Sequence, residues 1–568
     1  MHRKTFVLPL VGTTLMTLLA GCASAPGASS ASLSTYRVDV PAVTHPSSET
    51  PAWWYRSGAA HAAANGAMNG RAKNVILFLG DGMSLTTVAA ARIFDGQRKG
   101  QPGEENLLSW ERFPHTAFSK TYNTDSQTPD SAGTMTAITT GVKTHMGAIG
   151  VTAGPRTDCR DSLGKAALTW LELADSAGMA TGIVSTARLT HATPAATYAH
   201  VPDRNWENDT DLPADAVAQG CQDIAAHLLT SARFGHGPTV ALGGGRGEFT
   251  STEERDPEYD DKVGQRLDGR NLPAEWLKAN PHGAYVWNRA QLDAAKNAPR
   301  LLGLFEPDHM QFEHDRPRDG AGEPSLAEMT RAAIHTLSRQ PQGYVLMIEG
   351  ARIDHANHYG NAYRALDETV ALSEAVQAAL EATSREDTLI LVTADHSHTL
   401  NFVGYPVRGN PILGKVRGQG GEDDAPGDLA RDQLGLPFTT LSYANGPGYT
   451  GAGNRQPAGP KKFLHAPSSV EAAEGRPDLS HVDTEHPDYL QEALVPLKSE
   501  SHGGEDVGIW AIGPGSEAIR GTVEQNVIYH FIVQATPKLR ERLCAADTCD
   551  ANGVPVELPR PDDFIRKP

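Results

Sequence analysis

Three apolar runs in this chain each finish on an acidic residue: Asn74 to Asp81 (NVILFLGD), Gly343 to Glu349 (GYVLMIE) and Thr388 to Asp395 (TLILVTAD). One such acid is an ordinary helix cap. Three converging on one edge repel one another unless cations sit among them, which is the arrangement of a divalent-metal site. Histidines close by agree. Asp354 and His358 are four residues apart and share one face of a helical turn. Asp395 and His396 are adjacent at a strand end, and His502 (ESHGG) supplies a further imidazole. Mixed imidazole and carboxylate ligation suits Zn²⁺, and an all-oxygen set suits Mg²⁺. His355 and His398 read as neighbours of the ligands, not as ligands.

The continuous apolar character of the three runs is that of parallel strands buried on both faces. The fold class is therefore α/β, with a central, mostly parallel sheet flanked by helices and a ligand crevice at the carboxyl ends of the strands. A helical pattern follows from Ala362 to Leu380, a strand from Val507 to Ile512, and a helix-like stretch from Ala132 to Thr140. The last would place Ser131 at a helix N-terminus, where backbone N–H groups favour an anion. Read alone, the pair Asp130-Ser131 is more simply a plain N-cap.

The chain has 568 residues and a net charge of −18, or −20 once a leader carrying Arg3 and Lys4 is removed. Such an acidic surface argues against nucleic acid as a partner. The apolar run Phe6 to Ala20 is too short to span a bilayer comfortably and reads as a secretory leader. It ends in Leu19-Ala20-Gly21-Cys22, which resembles a bacterial lipobox whose cysteine is lipidated; a plain cleavage site with an incidental cysteine is the alternative. An exported lipoprotein, anchored through Cys22 to a bacterial membrane and facing the periplasm or the cell surface, is the expectation. Export permits disulfides. Four remaining cysteines allow three pairings; the short spacing of Cys544 and Cys549 favours a local loop and leaves Cys159 with Cys221. A metal site is the competing reading, without a CxxC to support it.

Several stretches resemble the alkaline phosphatase family: NVILFLGDGM from Asn74, PDSAGTMTAITTGV from Pro129, Glu349 to His358, TADH from Thr393 and SESHGGED from Ser499. THATPAATYAHVPDRNW from Thr190 and LLGLFEPDHMQF from Leu301 resemble the animal type more than the enterobacterial type. The resemblance implies a three-layer sandwich with a loop-rich crown. It makes Ser131 the nucleophile of a phosphoserine intermediate and Arg204 the residue that forks onto phosphate oxygens. It assigns one zinc to Asp354, His358 and His502, a second to Asp81, Asp395 and His396, and a magnesium to Asp81, Thr193 and Glu349. Three divalent ions against those carboxylates leave a cationic pocket for phosphate monoesters inside an acidic protein.

The same resemblance puts His191 beside the third metal, where a nitrogen lets Zn²⁺ compete with Mg²⁺. It suggests a calcium site from Glu258, the carbonyl of Phe305, Glu306 and Glu323; four solvated loop positions are the alternative. Domain boundaries follow: leader 1–21, flexible tether 22–50, catalytic domain 51–550 and C-terminal tail 551–568. Within the catalytic domain, residues 51–70 resemble a helix that packs on a partner subunit, since exposed aromatics there would be a liability, and 399–500 resembles the crown. A homodimer is expected. A sulfatase or phosphodiesterase of the same superfamily would share the strand ends, but those enzymes use a modified cysteine or a threonine where Ser131 stands. A binding or structural lipoprotein would leave the metal constellation without a purpose.

Overall fold

The computed structural model describes residues 34–152, 158–230, 237–418, 426–450, 461–463 and 476–565. Cys22 and the leader lie outside these residues, as does most of the glycine-rich run from 418 to 424. The strands are β1 (Asn74–Gly80), β2 (His115–Lys120), β3 (Ala180–Arg188), β4 (Val240–Gly244), β5 (Ala284–Val286), β6 (Leu301–Leu304), β7 (Tyr344–Gly350) and β8 (Thr388–Ala394), with later strands Val507–Ile512 and Thr522–Glu524. They form one ten-stranded sheet in the order Thr522–Glu524, β2, Val507–Ile512, β8, β1, β7, β3, β4, β6, β5. Val507–Ile512 runs antiparallel to both of its neighbours, and every other pairing is parallel.

β1 lies between β7 and β8, and all three are buried at every residue. Alternate side chains of β1 enter two different cores: Val75, Leu77 and Leu79 on one face, Ile76 and Phe78 on the other. That is the pleat of a sheet with helices on both sides, and it explains why these strands read as unbroken apolar runs. Truncating Phe78 to alanine would cost about 3–5 kcal/mol. The register Leu79↔Glu349 and Gly80↔Ala394 brings the acidic ends of all three strands to one level.

Helices α1 (Pro51–Ala64), α2 (Leu85–Arg98) and α3 (Ser131–Thr140) each start from a side chain that accepts a backbone N–H: Thr50, Ser84 and Asp130. Of the three aromatics of α1 expected to face a partner subunit, Trp53 alone stays partly exposed. Trp54 and Tyr55 are buried inside the chain itself, with the Tyr55 ring 4.6 Å from His530 and 5.7 Å from Tyr529 on helix Val527–Ala535. The tether read over 22–50 is not free along its whole length. Tyr36 and Val38 pack on Ala59, Ala63, Met68, Val554 and Val556, and the indole N–H of Trp53 donates to the Pro41 carbonyl at 2.8 Å. The stretch read as a C-terminal tail likewise folds back, burying Val554, Val556 and Phe564. Disulfides join Cys159 to Cys221 and Cys544 to Cys549. Among the described residues no helix is long and apolar enough to cross a membrane.

Candidate metal centre

The three strand ends meet the histidines at the carboxyl edge of the sheet. Asp81, just beyond β1, is fully buried, as are Glu349 at the end of β7 and Asp395 after β8. His396 stands among them: its Nε2 is 3.3 Å from Oδ1 of Asp81 and 3.3 Å from Oδ2 of Asp395. Nε2 of His396 is also 3.0 Å from Oγ of Ser131, the first residue of α3. Asp395 is held by the Gly82 and His396 backbone N–H groups at 3.1 and 3.0 Å and by the Thr134 hydroxyl at 3.3 Å. The Gln525 amide donates to its main-chain carbonyl at 2.6 Å.

A second group adjoins the first, the rings of His396 and His502 stacking with centroids 3.6 Å apart. Helix Arg352–His358 puts Asp354 and His358 on one face, with Nε2 of His358 at 3.4 Å from Oδ2 of Asp354. Nε2 of His502 comes to 3.4 Å from Oδ1 of the same carboxylate and 3.2 Å from Nε2 of His358. The outer nitrogens point at carbonyls, Nδ1 of His502 to Pro129 at 2.8 Å and Nδ1 of His358 to Glu500 at 2.5 Å. Those N–H donations leave both Nε2 lone pairs free to face an ion.

The third group is Asp81, Glu349 and Thr193. The Thr193 hydroxyl lies 3.4 Å from Oδ2 of Asp81, and the Ser185 hydroxyl donates to Oε2 of Glu349 at 2.5 Å. His191 comes within 4.8 Å of Asp81 and Glu349. Oδ1 of Asp81 and Oε1 of Glu349 are buried without a hydrogen-bond partner. Burial, then the charges of Asp395, Asp354 and Glu349, push the Asp81 carboxyl well above its ordinary range. Unpartnered carboxylate oxygens that repel each other in a dry pocket fit a set of divalent cations.

His398, set aside in the sequence reading, has a defined task. Its Nε2 donates to Oδ1 of Asp354 at 2.6 Å, and its Nδ1 lies 2.5 Å from Oε2 of Glu500. Burial opposes its charge, yet Glu500 and Asp354 push it up to about 10. Burial likewise disfavours ionised Asp354, but the imidazoles of His358 and His398 outweigh it and hold the carboxyl well below its usual range. Gly82 makes room for this contact. Its φ is +66°, and a Cβ there would fall 2.3 Å from Cδ2 of His398. The sequence signal was the alternation in Asp395-His396-Ser397-His398, which sends the two imidazoles along the same side of an extended segment.

Arg204 bridges the outer wall. One guanidinium nitrogen donates to Oδ2 of Asp130 at 3.1 Å and the other to Nε2 of His191 at 3.1 Å. Asp130 also caps α3 through the Gly133 N–H at 3.1 Å and takes the Gly147 N–H at 3.0 Å.

The calcium candidates form a separate acidic group. Oε1 of Glu306 accepts from the Tyr259 hydroxyl and the Gln311 amide, both at 3.1 Å, and Glu323 accepts the Gln311 backbone N–H. Glu258 pairs with Arg246 at 2.9 Å. Phe305, whose carbonyl was the fourth candidate, is buried and donates its N–H to the Gly243 carbonyl on β4. Burial and the Glu306 charge raise Glu323 well above its ordinary range; burial and Asp319 push Glu258 up to about 7. Asp319 was not singled out from sequence, because no motif marks it.

A family model described as Alkaline phosphatase matches residues 72–537. The chain is 44% identical over 472 residues to the tissue-nonspecific alkaline phosphatase isozyme of Felis catus, covering 82% of this chain and 83% of the cat protein. It is 43% identical over 473 residues to the human isozyme, with the same coverage. Among solved structures, the alkaline phosphatase of Thermus thermophilus superposes with a TM-score of 0.56 at 24% identity, over 84% of this chain and 96% of that one, which shows the shared fold. With the family's profile spanning the sheet, helix α3 and all three acidic strand ends, the chain belongs to the alkaline phosphatase family and is a phosphoric monoester hydrolase.

Proposed function

We propose that this enzyme hydrolyses phosphate monoesters in two steps through a phosphoserine on Ser131, with two zinc ions and one magnesium ion. The observation that carries the reading is the position of Ser131 Oγ, 3.0 Å from the imidazole that Asp81 and Asp395 flank. Asp81, Asp395 and His396 would hold one zinc, Asp354, His358 and His502 the other, and Asp81, Thr193 and Glu349 the magnesium. Bound there, the ions supply Lewis acidity that favours the ionised serine and the departing oxygen.

The chain's own residues do the rest. Ser131 attacks phosphorus; the bond from phosphorus to the ester oxygen breaks, and the alcohol leaves. Water then cleaves the phosphorus–serine bond, releasing inorganic phosphate and restoring Ser131. Arg204, fixed by Asp130, directs N–H groups at the phosphoryl oxygens, and the N-terminus of α3 adds its backbone dipole. Burial of Ser131, 2% exposed, keeps bulk water from the first step. The residues named here grip the transferred phosphoryl group and not the alcohol, so many monoesters serve as substrates.

A calcium ion held by Glu258, Phe305, Glu306 and Glu323, with Asp319 nearby, would relieve the repulsion that raises these carboxyls. Cys22 would carry the lipid anchor of an exported protein, consistent with two disulfides. The domain layout is the leader, the tether, the catalytic unit 51–550 and the C-terminal segment. A homodimer would use the crown, where Tyr405, Leu494 and Val495 are 88%, 78% and 47% exposed.

The test is metal analysis of the purified protein alongside hydrolysis of p-nitrophenyl phosphate, bis-p-nitrophenyl phosphate and p-nitrophenyl sulfate. Zinc and magnesium in stoichiometric amounts and a strong preference for the monoester are expected. Preference for the diester or the sulfate, or full activity after chelation, contradicts the reading.

A further inference from the structure

Three imidazoles outside the proposed ligand sets gather beyond Arg204. One nitrogen from each of His191, His309 and His355 lies within 4.8 Å of the others, and the rings of His309 and His355 are 4.2 Å apart. Such a trio can either hold a transition metal or present N–H groups. The hydrogen bonds decide between these. Arg204 donates to Nε2 of His191 at 3.1 Å, the Arg188 backbone N–H to Nδ1 of His309 at 3.2 Å, and the Arg352 guanidinium to Nδ1 of His355 at 2.9 Å.

Each ring thereby commits its single lone pair to a group that can only donate, so the opposite nitrogen carries the proton. A metal ligand needs the reverse, an outer N–H donated away and a lone pair facing inward. Nδ1 of His191 and Nε of Arg352 are buried with no partner. Asp308, next in sequence to His309, keeps its Oδ1 3.9 Å from Nε2 of His309, beyond hydrogen-bonding reach, and turns to Arg188 at 2.5 Å. The Asp354 carboxylate, which also faces these imidazoles, is taken up by His398 at 2.6 Å. Uncommitted donors beside the guanidinium groups of Arg204 and Arg352 suit an anion, whereas the Arg188 guanidinium is already paired with Glu207 and Asp308.

We propose that His191, His309, His355 and Arg352 form a subsite for a second phosphoryl group attached next to the one transferred, so that nucleoside diphosphates are preferred over the corresponding monophosphates. This rests on the phosphatase reading above, and Arg204 joins the two places by touching both Asp130, beside Ser131, and His191. In the reaction, the bond between the terminal phosphorus and the bridging oxygen breaks, and water supplies the atoms that release phosphate and the nucleoside monophosphate.

The experiment compares kcat/KM for ADP and AMP on the zinc- and magnesium-loaded enzyme, in the wild type, His309→Leu and His309→Gln. The wild type should favour ADP. The ADP-to-AMP ratio should fall about tenfold in His309→Leu, the loss of one hydrogen bond to a charged group, and be kept in His309→Gln, which still offers an N–H. A wild type that does not favour ADP overturns the subsite while leaving the phosphatase reading intact, and it does so even if His309→Leu fails to fold. An unchanged ratio in His309→Leu also overturns it, as does an extra equivalent of transition metal in the wild type that this variant lacks. A wild type that hydrolyses neither nucleotide overturns the phosphatase reading instead.

Discussion

Oγ of Ser131 and Nε2 of His396 are 3.0 Å apart although 265 residues separate them in the chain. α3 delivers the serine from one side and the end of β8 delivers the imidazole from the other. The contact is fixed by backbone on both sides: Asp130 caps α3 through Gly133, and Asp395 is locked by Gly82 and Gln525. The proposed nucleophile therefore sits at the start of a capped helix instead of on a loop.

His398 is a positioning residue for Asp354. Replacing it by alanine removes the 2.6 Å donation to Oδ1 and leaves Glu500 facing an empty space. Zinc affinity at the site of Asp354, His358 and His502 should fall about 10- to 100-fold, the usual cost of losing a partner that orients a ligand. Titration of the metal-free protein in zinc buffers measures this, and excess zinc should restore most of the activity. Unchanged affinity would show that Asp354 holds its orientation alone.

Asp130 both caps α3 and aims Arg204. The variant Asp130→Asn keeps an acceptor for the Gly133 N–H and drops the charge that faces the guanidinium at 3.1 Å. KM for p-nitrophenyl phosphate should rise about tenfold with a smaller change in kcat, because a charge-assisted hydrogen bond is lost from Arg204, the group proposed to grip phosphate. Steady-state kinetics decide it. A fall confined to kcat would point away from phosphate binding.

Glu368 on helix Ala362–Ala382 lies buried beneath the Glu313 backbone N–H, which it accepts at 2.6 Å. Burial pushes its carboxyl from the ordinary 4.5 up to about 8. Between these values the folded state keeps a proton that the unfolded chain has lost, so stability falls as pH rises through that window. Glu368→Gln abolishes this loss. Its melting temperature should exceed that of the wild type at about pH 9 and match it near pH 5. Parallel melting curves at both pH values, or a variant that is less stable at high pH, would contradict the assignment.

Cys159 and Cys221 close a loop of 62 residues. Replacing both by serine should cost about 4 kcal/mol by the chain-entropy relation, read by denaturant titration of the oxidised wild type against the double variant. No loss of stability would mean that the segment between them is held by packing alone.

The sequence displayed the centre of this fold because strands buried on both faces leave no polar interruption until the carboxyl end. Asp81, Glu349 and Asp395 are therefore visible as terminators of apolar runs. The helical spacing of Asp354 and His358 was equally visible, and the structure brings both to His502. Roles that depend on which way a chain turns were hidden. His398 follows a strand by four residues, and its aim at Asp354 depends on the positive φ of Gly82, which lies 316 positions away. His309 meets His191 and His355 only because β6, β3 and β7 lie within one sheet. The aromatics of α1 looked like a subunit surface because nothing in residues 51–70 shows that helix Val527–Ala535 returns to cover them.

The central claim is that Ser131 is phosphorylated during turnover. The zinc- and magnesium-loaded enzyme, mixed with excess p-nitrophenyl phosphate or inorganic phosphate and quenched in acid, should give a peptide phosphorylated at Ser131 by mass spectrometry. Ser131→Ala should give none and lose nearly all activity. A modified residue elsewhere, or an undiminished Ser131→Ala enzyme, would contradict the account.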